Sequence, residues 1–144
     1  MTKDVLISMR GLQFGTDETD AEKIETFMTG TYYEKNGKHY VLYDEMMEGL
    51  EKPTKNKVKI GDHFLELIRS GLVNVHMVFE EDRKNRTSYH TPYGNIPIAI
   101  DTKKIHITQE SDRIIVNVDY ALDISDKYFA DCKVVMEVRS VENG

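Results

Sequence analysis

Residues 114–124 read IIVNVDYALDI. Ile114, Val116, Val118, Tyr120, Leu122 and Ile124 fall on alternate positions. Asn117, Asp119 and Asp123 fall between them, together with Ile115 and Ala121. A period of two is the repeat of a strand with one face turned to a core. The same repeat runs through Cys132, Val134, Met136 and Val138, through Val5, Ile7 and Met9, and through Ile96, Ile98 and Ile100. Strand after strand with one apolar face predicts an all-β chain.

Turn chemistry gives the connections. Asn36-Gly37 suits the two positive φ angles of a type I′ hairpin. A two-residue loop there pairs Tyr33 with Tyr40, Tyr32 with Val41, and Gly30 with Tyr43. One face then carries Ile24, Met28, Tyr32, Val41 and Tyr43, and Gly30 leaves room for the Tyr43 ring. Ser70-Gly71 marks a second turn. Val73, Val75, Met77 and Phe79 share a face, and a three-residue loop over 70–72 sets them beside Arg69, Leu67 and Leu65. That choice buries more apolar surface than a two-residue loop, and it turns Arg69 toward the apolar side. Residues 44–51 fit either a short helical turn before Pro53 or an extension of the preceding strand. Residues 15–23 read as a polar loop.

About eight to ten such strands in 144 residues suggest one domain over residues 1–144. Sequential hairpins favour a single antiparallel up-and-down barrel, since closure removes edge strands. At this length folding buries roughly 70% of the extended-chain surface, so the core needs no staple.

Charge excludes some functions. Lysine and arginine number 19 against 25 acidic residues, a net charge of −6. No basic run tracks a helix, which disfavours nucleic acid and an anionic membrane surface. No apolar stretch is long enough for a signal peptide or a bilayer span. With one cysteine, Cys132, there is no internal disulfide, and a cytoplasmic protein is expected. Cys132 lies on the apolar phase of its strand, which predicts a shielded thiol.

Residues 87–102, TSYHTPYGNIPIAIDT, are dense in groups that can do chemistry. Thr91-Pro92-Tyr93-Gly94 has proline second and glycine fourth, as a type I turn prefers. Pro97 lacks a donor and belongs at a strand start, a bulge or a rim. The stretch reads as a structural corner with Tyr89 and Tyr93 laying their rings across it, or as a ligand-contacting mouth. Arg69 has two readings as well: a structural pairing with a carboxylate or a tyrosine ring, or recognition of an anionic ligand. The five histidines lie on separate segments, none closer than thirteen residues to another. No metal motif, GxSxG or phosphate loop appears, so neither a metal, a cofactor nor an enzymatic activity is expected.

Thr29-Gly30 before a tyrosine-rich hairpin, Tyr40-x-x-Tyr43, Arg69-x-Gly71, Tyr89-x-Thr91-Pro92-Tyr93-Gly94, Thr102 and Tyr120-x-Leu122 occur in this order over nearly the whole chain. In these features the sequence resembles the YwiB-like family, small bacterial proteins of unknown function grouped with lipocalin-like (calycin) β-barrels. It departs from the family in a polar insert around Glu80–Asn85, which should lengthen one hairpin. The resemblance implies a lipocalin-like barrel and no established reaction. Such barrels often hold a small apolar or amphipathic ligand, with Arg69, Tyr43, Tyr89, Tyr93 and Tyr120 as candidate contacts here. The inward set also includes Tyr32, Met77, Phe79 and Met136, bulky enough to fill the interior. The alternative is therefore a packed barrel acting as an interaction module or a homodimer.

Overall fold

Alternation in β9 (Arg113–Ile124) becomes burial: Ile114, Val116, Val118, Tyr120 and Leu122 are all inside. The structure is a computed structural model that describes residues 1–11, 25–46 and 52–141. The other strands are β1 (Asp4–Arg10), β2 (Glu25–Lys35), β3 (Lys38–Glu45), β4 (Thr54–Ile60) and β5 (Phe64–Ser70). They are followed by β6 (Val75–Glu80), β7 (Arg83–Thr91), β8 (Gly94–Gln109) and β10 (Lys127–Ser140). Among the described residues no helix is long and apolar enough to cross a membrane.

All ten strands lie in one antiparallel sheet of order β6-β5-β4-β3-β2-β1-β10-β9-β8-β7. Each strand pairs with its neighbour in sequence, except that β6 does not ladder with β7. The first and last strands pair instead, Val5 with Ser140 through Arg10 with Val135. The result is an up-and-down barrel that is nearly closed. Its last gap is spanned by one isolated bridge, in which Asn74 N–H donates to His90 O at 2.9 Å and His90 N–H to Asn74 O at 2.8 Å. Lower in the gap, Asn85 Nδ2 donates to Val78 O at 3.1 Å.

The Asn36-Gly37 hairpin forms with φ of 54° and 75°, and its pairs are those that the turn chemistry implies: Tyr33–Tyr40, Tyr32–Val41 and Gly30–Tyr43. A Cβ at Gly30 would stand 2.6 Å from Leu42 O and 3.1 Å from Tyr43 Cβ. Only a glycine lets the two strands and Ile7 approach so closely there. Met28, Tyr32, Val41 and Tyr43 share the inner face. Ile24, the loop over 15–23 and residues 47–51 lie outside the described residues.

The second turn needs a correction. Arg69 pairs with Val75, Leu67 with Met77 and Leu65 with Phe79, so residues 70–74 form the connection. The facing is as expected and the register is two residues off. Asn74 accounts for the difference. Its side chain closes the loop, with Nδ2 donating to Gly71 O at 2.7 Å, while its backbone bridges to His90. Val73 is buried within the loop rather than in the ladder.

The interior is one apolar cluster running from Val5 and Ile7 through Met77, Phe79 and Val116 to Met136 and Val138. Phe79 meets Tyr120 edge-on, with ring centroids 5.1 Å apart. Cys132 is half-buried against this cluster, less shielded than its alternation implies. It lies two residues past the bulge between Tyr128 and Ala130, where the β9–β10 ladder is irregular.

Candidate functional site

One rung of the barrel interrupts the apolar interior. Gly30, Tyr43, Asn56, Arg69 and Val75 stand directly opposite one another across β2 to β6. The sequence KNKVKI puts Asn56 on the inward phase of Val58 and Ile60, and Arg69 follows Leu65 and Leu67 on theirs. Both polar side chains are thus carried inside by the alternation of their own strands. Across the barrel, Thr102, Tyr120 and Cys132 form a second rung.

This region is short of partners. Arg69 is 6% exposed, and Thr54, Asn56, Tyr43 and Thr102 are buried too. Among the described residues, Arg69 Nε, Asn56 Oδ1 and the hydroxyls of Tyr43, Thr54 and Thr102 find no hydrogen-bond partner. The carboxylate facing Arg69 is that of Glu45, with Oε1 3.9 Å from Nη2, too far for a hydrogen bond. Asn56 uses its amide on Thr54 O at 3.3 Å, leaving its carbonyl oxygen free. Each unsatisfied buried group costs ~1–3 kcal/mol. Five such groups in one barrel set this rung apart from the apolar cluster around it, since native interiors pair most of their buried polar atoms.

Electrostatics agree with this geometry. Burial pushes the Tyr43 phenol well above the ordinary tyrosine range, and the Arg69 charge pulls it partly back. Burial raises Tyr120 similarly; the Cys132 thiol adds to the rise and Arg69 again opposes it. One guanidinium is therefore felt by tyrosines from β3 and β9, and both phenols stay neutral.

β7 adds polar groups beside the gap. Tyr89 packs on the core, and Asn85 and Thr87 share its strand phase. Over the gap lies a groove of about 280 Å³ lined by residues of the β5–β6 turn region and of β7, including Arg69, Asn74, His76, Thr87, Ser88 and His90. The buried arginine thus also walls an open groove.

Of the residues singled out in the sequence, Arg69, Tyr43, Tyr120 and Tyr89 all belong to the interior, and the first three share one electrostatic environment. Tyr93 does not join them. It is 100% exposed, so the expectation that its ring lies across the corner is wrong. The corner is held by Thr91 instead. Its Oγ1 donates to Gly94 O at 2.8 Å and accepts from Tyr93 N–H at 3.2 Å, which leaves Pro92 and Tyr93 as the projecting tip. Gly94 takes a φ of +134°, in open space. Pro97 sits just before the β8–β9 ladder begins at Ile98, where its missing donor is not needed. Thr54, Asn56 and Thr102 were missed as members of the site. Their signal was a polar residue on an apolar phase. Among the described residues no group of histidines, cysteines and carboxylates is placed to hold a metal ion.

Comparison with known proteins gives the chain its relatives. It is 27% identical over 111 residues to a protein of Bacillus subtilis (strain 168) described as "Uncharacterized beta-barrel protein YwiB", covering 77% of each chain. The crystal structure of the ywiB protein from Bacillus subtilis superposes with a TM-score of 0.75 at 20% identity, covering 97% of this chain and 93% of that one. That likeness concerns the fold, a β-barrel. Residues 7–136 match the family described as "Domain of unknown function (DUF1934)", and the chain belongs to that family.

Proposed function

We propose that this protein is a binding barrel for a small amphipathic molecule with an anionic end, held at the gap between β6 and β7. The observation that carries the reading is Arg69: a nearly buried guanidinium with an unpartnered Nε and its facing carboxylate 3.9 Å away. A carboxylate or phosphate oxygen would satisfy it, since charge-assisted bonds to arginine are the strong ones. Tyr43 and Thr102 would donate hydroxyl hydrogens, and Asn56 Oδ1 would accept from a ligand hydroxyl or amine. The apolar part would lie against Val75, Ile98 and Tyr89. The bulky interior at Met77, Phe79 and Met136 supports a ligand confined to this end, not one swallowed by the barrel.

The test is native mass spectrometry of protein purified from its own cells, wild type beside Arg69→Gln. A small anionic adduct on the wild type, absent from a variant with an unchanged far-ultraviolet spectrum, supports the reading. Two bare masses overturn it.

A further inference from the structure

The outer wall of the barrel is uneven in charge. On strands β2 to β4 the outward positions include Lys35, Lys38, Lys55, Lys57 and Lys59. Among the described residues none of these five forms an ion pair. Elsewhere on the wall lysines are neutralised: Lys84 by Asp123 at 2.7 Å, Lys103 by Asp101 at 2.7 Å and Lys133 by Asp119 at 3.8 Å. Few carboxylates oppose the five. Asp44 stands opposite Lys55, and Glu25 at the far end of β2 is held by the Ser8 hydroxyl. On β5, Glu66 faces Lys59 but is bound by His76 Nε2 at 2.7 Å. Among the described residues, a chain of net charge −6 thus keeps a block of unpaired positive charge on one face.

The block is organised. Tyr33 and Tyr40 stack with centroids 4.8 Å apart and planes 5° from parallel. From the β4 side, Lys57 and Lys59 bring their ammonium groups to 5.5 and 5.8 Å from the Tyr40 ring centre. Lys59 is also 5.8 Å from the Phe64 ring. Tyr40, Lys57, Lys59, Glu66 and Ile68 line a shallow depression of about 160 Å³, and Leu42, 39% exposed, lies beside Lys57. The cation–π contacts hold the two ammonium groups over the ring while their N–H donors remain able to bond, which lowers the entropy lost on binding.

We infer that this face docks an extended, acidic segment of a partner protein. The lysines of β4 are about 7 Å apart along the strand, the spacing of alternate side chains in any extended chain. Carboxylates on one side of such a segment would meet Lys55, Lys57 and Lys59 in turn, and a short apolar residue would meet Leu42 and Ile68. Single-stranded nucleic acid fits less well. It needs open aromatic faces for its bases, and Tyr40 is already covered by Tyr33 on one side and lysine on the other. A second copy of this chain is disfavoured, because Asp101, Asp119, Asp123 and Glu137 on its opposite wall are already paired. The inference stands apart from the Arg69 site, on the other surface of the sheet.

The test is a titration of the full chain followed through its backbone amide resonances at low ionic strength. The probes are a short peptide alternating glutamate and valine, its glutamine counterpart, and oligothymidylate. The acidic peptide should shift amides of Tyr33–Leu42 and Lys55–Lys59 and leave β8 to β10 unmoved. Lys57→Glu combined with Lys59→Glu should weaken the peptide about tenfold, with an otherwise unchanged spectrum showing an intact fold. No shifts on this face, equal shifts with the glutamine peptide, or undiminished binding by the double variant overturns the inference. Tighter binding of oligothymidylate overturns it in favour of nucleic acid.

Discussion

Gly30 and Tyr93 show how differently two residues of one sequence pattern are constrained. The backbone around Gly30 admits no side chain, because a Cβ would press on Leu42 O at 2.6 Å and Ile7 Cδ1 at 2.9 Å. Overpacking of this kind costs ~1–3 kcal/mol, and here it would also crowd Tyr43 Cβ at 3.1 Å. Tyr93 projects from its turn with no atom of its ring shielded. Surface changes of that sort stay within ~0.5 kcal/mol. Urea denaturation of Gly30→Ala and Tyr93→Ala should therefore separate them, with a clear loss for the glycine and none for the tyrosine. Equal midpoints would mean that the β2–β3 approach is looser than these distances. Gly30 was legible in the sequence because Asn36-Gly37 fixes the register and the register names Tyr43 as its neighbour. Tyr93 was misread because Thr91 satisfies the turn by itself, and nothing in a one-dimensional pattern tells whether a tyrosine folds back or points away.

Among the elements, what was legible is what is local. Asn36-Gly37 carries its own φ angles, and β9 carries its own alternation. The connection over residues 70–74 depends on a partner far along the chain, the His90 backbone, so parity gave its facing and not its register. The gap between β6 and β7 has the same origin. Their two-residue turn at Glu81-Asp82 looks like an ordinary hairpin, yet Asp82 N–H donates to Thr102 O on β8 at 2.9 Å. That bond draws the start of β7 toward β8 and away from β6. The N–H groups of His76, Val78 and Glu80 share the direction of Asn74 and point across the gap, as do those of Arg86 and Ser88 on the His90 side. None of these pairs in a ladder there. Their amides should exchange with solvent orders of magnitude faster than those of Val116 and Val118, whose strand is paired on both edges. Asn85→Ala, which removes the side-chain bond to Val78 O, should speed them further. Protection equal to that of β9 would show that the barrel is laddered shut and that the groove is no way in to Arg69.

For the molecule as a whole, the polar rung and its buried tyrosines set the response to alkali. Burial raises Tyr43 and Tyr120 above the ordinary 10.0, with Arg69 offsetting only part of the rise. In the unfolded chain both phenols ionise near 10, while in the folded barrel they keep their protons. Below that value the two states bind equal numbers of protons at these sites, and the tyrosines give stability no pH dependence. Above it the unfolded state releases protons first, so stability falls as pH rises, by up to ~1.4 kcal/mol per unit for each phenol. Urea midpoints at several pH values between about 8 and 11 should therefore fall steeply for the wild type and less so for Tyr43→Phe combined with Tyr120→Phe. At neutral pH the double variant should lose little at Tyr43, because that hydroxyl has no partner to lose. Parallel curves would mean that the phenols ionise inside the folded barrel, which requires water at the rung. Neutral tyrosines leave Glu45, 3.9 Å away, as the anion facing Arg69, and an alkaline profile set by Tyr43 and Tyr120 would therefore argue for the dry rung at which we propose that an anionic ligand binds.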